Sequence, residues 1–170
     1  MTQVLARWNS LDPAAAAREA LPCCGSAAWA TALAAQRPFA DEAALVKAST
    51  DIWLALPEAA WQEAFNSHPR IGQRHAQHAT EESLRWSAQE QRNAMSPDEA
   101  AKLALEEANR RYELKFGRIF IVCATGKTSA EILSILNARM KNDPQTELRE
   151  AAEQQRQITL LRLHRWLESQ

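Results

Sequence analysis

With 170 residues, 20 basic against 21 acidic side chains and a formal net charge of −1, the chain has no basic field to draw nucleic acid or an anionic membrane, so a small molecule is the expected partner. Only 4 glycines, against an abundance of Ala, Leu, Glu, Gln and Arg, exclude a sheet-rich fold and predict an all-α bundle of about eight or more helices in one domain spanning 1–170. Cys23, Cys24 and Cys123 make neither a disulfide framework nor a CxxC metal pair, no apolar run is long enough to cross a membrane, and Glu168-Ser169-Gln170 is no peroxisomal address, so the expected compartment is the cytoplasm.

In chain order, a first short helix covers Val4 to Trp8. Asp12 caps a second, which opens on Pro13 and runs through an alanine-rich stretch to Leu21. Ser26 caps a third that turns Trp29, Ala32 and Leu33 inward and ends before Pro38. Asp41 starts a fourth that reaches Leu56, with Leu45, Ile52 and Trp53 as its apolar stripe. Pro57 to Phe65 reads as a fifth, with Trp61, Ala64 and Phe65 on one face; Pro69 disfavours the α region for His68, so the helix stops there. His68-Pro69-Arg70-Ile71-Gly72 then concentrates a titratable ring, a guanidinium, a fixed φ and a free one. A left-handed Gly72 would turn Arg70 back towards His68.

After a polar run from Gln73 to Ala79, a helix is predicted from Thr80 to Ala94, with Leu84, Ser87 and Gln91 along one side and Glu90 next to it. Ser96-Pro97-Asp98-Glu99 reads as a capping box that opens a long helix carrying Leu103, Leu105, Ala108 and Tyr112 towards Phe116. Near 117–125 a glycine and a continuous apolar run, Ile119-Phe120-Ile121-Val122-Cys123-Ala124, break the helical rhythm. This segment is either extended and buried, with backbone groups left for a ligand, or a last turn or loop paired with side chains. Thr128 and Glu131 form a second capping box, for a helix with Ile132, Ile135 and Leu136 on one face that ends near Asn142. Asp143-Pro144 starts the last helix, in which Ile158, Leu161 and Arg162 fall on neighbouring rows.

Several patterns carry chemistry. Gly126-Lys127-Thr128 suggests a phosphate loop, but that motif requires a glycine where this chain has Ile121. His68, His75 and His78 have no carboxylate at a familiar zinc spacing, so no metal site is expected. Ser87, Glu90 and Gln91, three and four apart, can point a hydroxyl, a carboxylate and an amide into one cavity, or stand solvated on a surface helix. His68, Glu90 and Arg162 are complementary types for a single anionic ligand. Two other classes use the same features: a non-enzymatic helical adaptor presenting its tryptophans, and a metal-dependent hydrolase using the histidines.

Four motifs taken together resemble one family. His68-Pro69-Arg70-Ile71-Gly72, Ser87-Ala88-Gln89-Glu90-Gln91, the run from Phe116 to Lys127 and Ile158-Thr159-Leu160-Leu161-Arg162-Leu163 occur in the order seen in 2-oxo-4-hydroxy-4-carboxy-5-ureidoimidazoline decarboxylases. The likeness spans nearly the whole chain. It implies an all-helical, usually homodimeric, cofactor-free and metal-free enzyme that performs the last step of urate breakdown, releasing carbon dioxide to give (S)-allantoin. By position, His68, Glu90 and Arg162 match the family's catalytic set, and Pro69, Ser87, Gln91 and the backbone at Phe120, Ile121 and Val122 match its substrate-binding set. Before Arg162 the chain reads Glu153-Gln154-Gln155-Arg156-Gln157, where many relatives carry a lysine next to the isoleucine, and Arg165 lies close enough to be the alternative to Arg162 as the arginine that faces the site.

Overall fold

Side-chain caps fix where most helices begin. In the computed structural model, which describes every residue except Met1, Arg74, His75, Gln77, His78, Met95, Ser96, Pro97 and Gln170, all regular structure is helical. The helices are α1 (Gln3–Ser10), α2 (Pro13–Cys24), α3 (Ala27–Ala35), α4 (Glu42–Ala55), α5 (Glu58–Asn66), α6 (Glu81–Glu90), α7 (Glu99–Phe116), α8 (Ser129–Arg139) and α9 (Pro144–Leu167), with a 3₁₀ turn at Arg92–Ala94. Thr2, Asp12, Ser26, Asp41, Thr80, Asp98 and Thr128 each accept a hydrogen bond from a first-turn amide that would otherwise lack a partner. Contacts divide the chain into two compact units, Met1–Ala64 with Arg156–Gln170, and Phe65–Gln155.

The first unit is built on tryptophans that bury their rings and still satisfy their N–H groups. Trp8 stacks on Phe39 with centroids 6.1 Å apart, meets Trp166 edge-on at 5.6 Å and donates to the Ala16 carbonyl at 2.9 Å. Trp29 donates to the Ser49 carbonyl at 3.2 Å, and Trp61 to that of Trp53 at 2.9 Å. Alanines at 16, 20, 30 and 34 are buried where α2 packs on α3. Helix α2 departs from the expected end at Leu21: it continues through Pro22 to Cys24 and closes on a left-handed Gly25. Pro22 lies in the last turn, where its missing N–H forfeits one bond, and burial of Pro22, Cys23 and Cys24 outweighs that loss.

The second unit has a core of Ile71, Leu105, Ala108, Tyr112, Phe116, Phe120, Val122, Ile132 and Leu136. Tyr112 touches both Phe116 and Phe120, with ring centroids at 4.8 and 5.1 Å. Helix α7 runs from Glu99 with Asp98 as its cap, the Oδ1 of Asp98 accepting from the Ala100 amide at 3.0 Å; the expected Ser96 cap and Pro97 start lie outside the described residues. Gly117, at φ +68°, ends α7 in the left-handed region. Residues 119–124 then form neither helix nor strand, as expected for this stretch. The Thr128 and Glu131 capping box is present with both of its bonds. Two residues expected inside are outside: Leu103 is 63% and Leu161 39% exposed, Leu103 on the side of α7 opposite Leu105, Ala108, Tyr112 and Phe116, and Leu161 turned well away from the buried side of α9. No helix among the described residues is long and apolar enough to cross a membrane.

Candidate functional site

Helix α5 stops at Asn66, and the His68 amide closes its last turn on the Phe65 carbonyl at 3.1 Å. His68 is half-buried, with Nε2 2.7 Å from the Oε1 of Gln155 on α9. Pro69 is buried. Gly72 adopts φ +87°, the left-handed turn the sequence calls for, and its amide donates to Gln91 Oε1 at 3.0 Å. Arg70 directs its guanidinium to Glu113 of α7, with Nε 2.5 Å from Oε1 and Nη2 3.0 Å from Oε2. Its side chain is 47% exposed, so this pair contributes little to stability.

Helix α6 supplies the second set of groups. It ends at Glu90 rather than at Ala94, because Gln91 leaves the helix and the chain tightens into the 3₁₀ turn. Ser83, Ser87 and Glu90 form its buried face and Gln91 follows them inward, so Glu90 lies on that face rather than beside it, while Leu84 is half-buried. With the Gln91 oxygen committed to Gly72, its NH₂ end meets no acceptor among the described residues and can donate to a ligand oxygen. A surface cleft lined by Arg70, Gln73, Glu106, Asn109, Arg110 and Glu113 lies beside the corner and contains none of the expected site residues.

The segment after α7 is fixed from both sides. Arg139, 6% exposed, donates through Nη1 to the Ile121 carbonyl at 2.7 Å and covers the Phe120 ring with its guanidinium carbon 4.6 Å from the centroid. The other edge of the guanidinium meets Glu147 Oε1, at 2.9 Å from Nε and 2.5 Å from Nη2. Tyr112 Oη also donates to that oxygen, and Asn142 Nδ2 donates to Oε2 at 2.8 Å. Burial, reinforced by the Glu147 carboxylate, pushes the Tyr112 phenol well above its usual range. On the far side the Cys123 amide donates to Gln154 Oε1 at 2.9 Å, and Lys127 Nζ to the Cys123 carbonyl at 2.8 Å. Phe120, Ile121 and Val122 are each at most 5% exposed, and among the described residues nothing accepts from their amides. Of the two readings of this stretch, side-chain pairing accounts for the Ile121 carbonyl and the Cys123 amide, and the amides of Phe120, Ile121 and Val122 have no protein acceptor among the described residues.

Arg162 belongs to the first unit. It is 1% exposed and donates from Nη1 to the Pro22 carbonyl at 3.3 Å, one of the α2 end carbonyls that have no helical partner. Nearby, the fully buried Cys24 is hydrogen-bonded to the Thr159 side chain, and burial raises its thiol pKa to about 12. Arg165 is half-exposed, so of the two arginines Arg162 is the inward one.

Among the described residues no group of three His, Cys, Asp or Glu side chains could hold a metal ion; His75 and His78 lie outside them. Sequence reasoning missed Gln155, Arg139 and Glu147. Counting back seven from Arg162, two helical turns, leads to Gln155 on the buried stripe of α9, a signal that was present in the spacing. Arg139 and Glu147 carried none, because charged residues on helices are usually solvated.

The family model described as OHCU decarboxylase matches residues 9–164. The chain is 39% identical over 143 residues, 83% of its length, to the uric acid degradation bifunctional protein TTL of Arabidopsis thaliana, of which the match covers 44%. It is 28% identical over 145 residues to the 2-oxo-4-hydroxy-4-carboxy-5-ureidoimidazoline decarboxylase of Mus musculus, covering 85% of this chain and 79% of that one. The chain thus spans less than half of the plant protein but most of the mouse one. Among solved structures, OHCU decarboxylase in the presence of (S)-allantoin superposes with a TM-score of 0.76 at 35% identity, covering 89% of this chain and 98% of that one. An (S)-allantoin synthase structure shares the fold, with a TM-score of 0.71 at 21% identity over 95% of this chain and 53% of that one.

Proposed function

The chain belongs to the OHCU decarboxylase family, and from that premise we propose that it is a carboxy-lyase converting 2-oxo-4-hydroxy-4-carboxy-5-ureidoimidazoline to (S)-allantoin and carbon dioxide. It acts as one catalytic domain over 1–170, without cofactor or metal, as a homodimer in the cytoplasm. The observation that carries the assignment of roles is the run of three buried amides at Phe120, Ile121 and Val122, held between Arg139 and Gln154. Fixed donors on buried residues suit an oxygen on which charge develops.

The substrate provides its own electron sink. When the carboxyl bond breaks, its electron pair forms a double bond to the adjacent ring carbon, and the C=N pair moves onto nitrogen, which takes a proton. The resulting enol then gives up its hydroxyl proton and receives one at the neighbouring carbon, from one face, to yield the allantoin carbonyl. Such a reaction requires orientation, charge stabilisation and directed proton delivery. We assign His68 and Glu90 to the hydroxyl and carboxyl end. Arg162 and the Gln91 NH₂ bind ring and ureido oxygens, Ser87 hydrogen-bonds the substrate, and Pro69 offers its carbonyl. The amides of Phe120 to Val122 receive a carbonyl oxygen.

The test is direct. Purified protein is mixed with freshly generated substrate in the presence of a strong chelator and optical rotation is followed. Rapid formation of one allantoin enantiomer is expected. Racemic product at the spontaneous rate, or activity that returns only with added zinc, overturns the reading.

A further inference from the structure

We propose that Gln155 sets the tautomer of His68, a positioning role that rests on the decarboxylase reading above. The His68 Nε2 and Gln155 Oε1 atoms are 2.7 Å apart, and Gln155 is fully buried. A carboxamide oxygen only accepts hydrogen bonds, so the ring nitrogen facing it carries the hydrogen. In the neutral imidazole the lone pair is therefore confined to Nδ1.

The arrangement has a second half. Gln154 accepts from the Cys123 amide at 2.9 Å through Oε1 and donates to Glu150 Oε1 at 3.0 Å through Nε2. Consecutive residues on a helix point about 100° apart, so α9 uses two adjacent glutamines to hold two different neighbours. One fixes the acid–base ring and the other the buried 120–123 segment. Had the position behind His68 only to be filled, an apolar side chain of the same length would fill it without the cost of desolvating an amide.

Nitrogen-15 spectra of the full chain labelled at histidine, with His68 assigned by its loss in His68→Asn, report the tautomer directly. At a pH where the ring is neutral, the wild type should show hydrogen on Nε2. Gln155→Met removes the acceptor at nearly constant volume. It should abolish that preference and lower kcat by about 10²-fold, the low end of what a positioned acid–base group contributes, with KM and melting temperature little changed. Gln155→Glu keeps an acceptor in place and should keep the Nε2–H ring. A Gln155→Met protein with wild-type tautomer and kcat overturns the proposal. Should Gln155→Met fail to fold, the wild-type spectrum still decides, since a neutral ring protonated on Nδ1 refutes it. An Nε2–H ring in a chain that does not accelerate decarboxylation supports the tautomer assignment and sinks the catalytic reading instead.

Discussion

Replacing Arg139 with methionine should cost about 4–5 kcal/mol of folding stability at pH 7, and far less at pH 5. Arg139 is 6% exposed and Glu147 0%, and the guanidinium gives two hydrogen bonds to Glu147 and one to the Ile121 carbonyl. Methionine keeps most of the volume, so little cavity forms. What remains is a carboxylate without its cation and a carbonyl without its donor. To stay buried, a carboxyl that titrates near 4.3 when unfolded must take a proton, which costs about 3.7 kcal/mol at pH 7 at 1.36 kcal/mol per pH unit. The orphaned carbonyl adds about 1 kcal/mol. The sum agrees with the roughly 3–5 kcal/mol lost when one partner of a buried ion pair is removed. In the variant the folded state favours the protonated carboxyl, so its stability is greatest below the unfolded carboxyl's titration and falls as pH rises. At pH 5 the protonation cost is only about 1 kcal/mol. Urea unfolding of both proteins at the two pH values measures the difference. Removing both charges, in Arg139→Met with Glu147→Leu, should cost less than Arg139→Met alone. A loss below about 1 kcal/mol at pH 7, or an equal loss at both pH values, would refute the reasoning.

His68→Asn and Glu90→Gln should each lower kcat by about 10²–10⁴-fold in a folded protein, since neither amide exchanges a proton near neutral pH; near-normal turnover in steady-state assays removes that residue from the chemistry. Arg162→Lys should cost about 2–4 kcal/mol in transition-state binding, because lysine cannot make the two-pronged bond, whereas Arg165→Lys at its half-exposed position should be close to neutral. The reverse order in kinetics checked against helical content would mean that the arginines have been exchanged. Cys24, with its pKa raised to about 12, should resist alkylation at pH 8 in the native chain and react only on unfolding. Its buried protonated thiol favours the folded state below the ordinary value of 9.0, an advantage lost as pH rises towards about 12, so alkaline titration followed by circular dichroism should show a loss of stability in that window that Cys24→Ala lacks.

What could be read from sequence is what local chemistry decides. Asp12, Ser26 and Thr128 cap their helices as expected, and Asp41 and Thr80 cap where a helix start was expected, because a short side chain reaches an amide three residues ahead whatever the rest of the chain does. Gly72 turns left-handed, and the stretch after Gly117 is irregular, for equally local reasons. Ser87, Glu90 and Gln91 share a buried side because their spacing is helical. Features set by distant packing were not legible: α2 running past Pro22, and Leu103 and Leu161 turned outward. Partnerships were the least legible of all. Nothing near His68 names Gln155, 87 positions away, and nothing near Ile121 names Arg139.

The three buried amides at Phe120, Ile121 and Val122 bear on the free-energy balance of the folded chain itself. A buried donor without an acceptor costs about 1–3 kcal/mol, which is incurred on folding, whether or not a ligand ever arrives. A segment kept in that condition makes the folded chain less stable than the same core would be with its backbone satisfied. On the proposed assignment the same deficit favours binding of a carbonyl oxygen, because the donors are already buried and fixed in place. On the proposed assignment, sequence changes that paired these amides for thermal stability alone would do so at the expense of ligand binding.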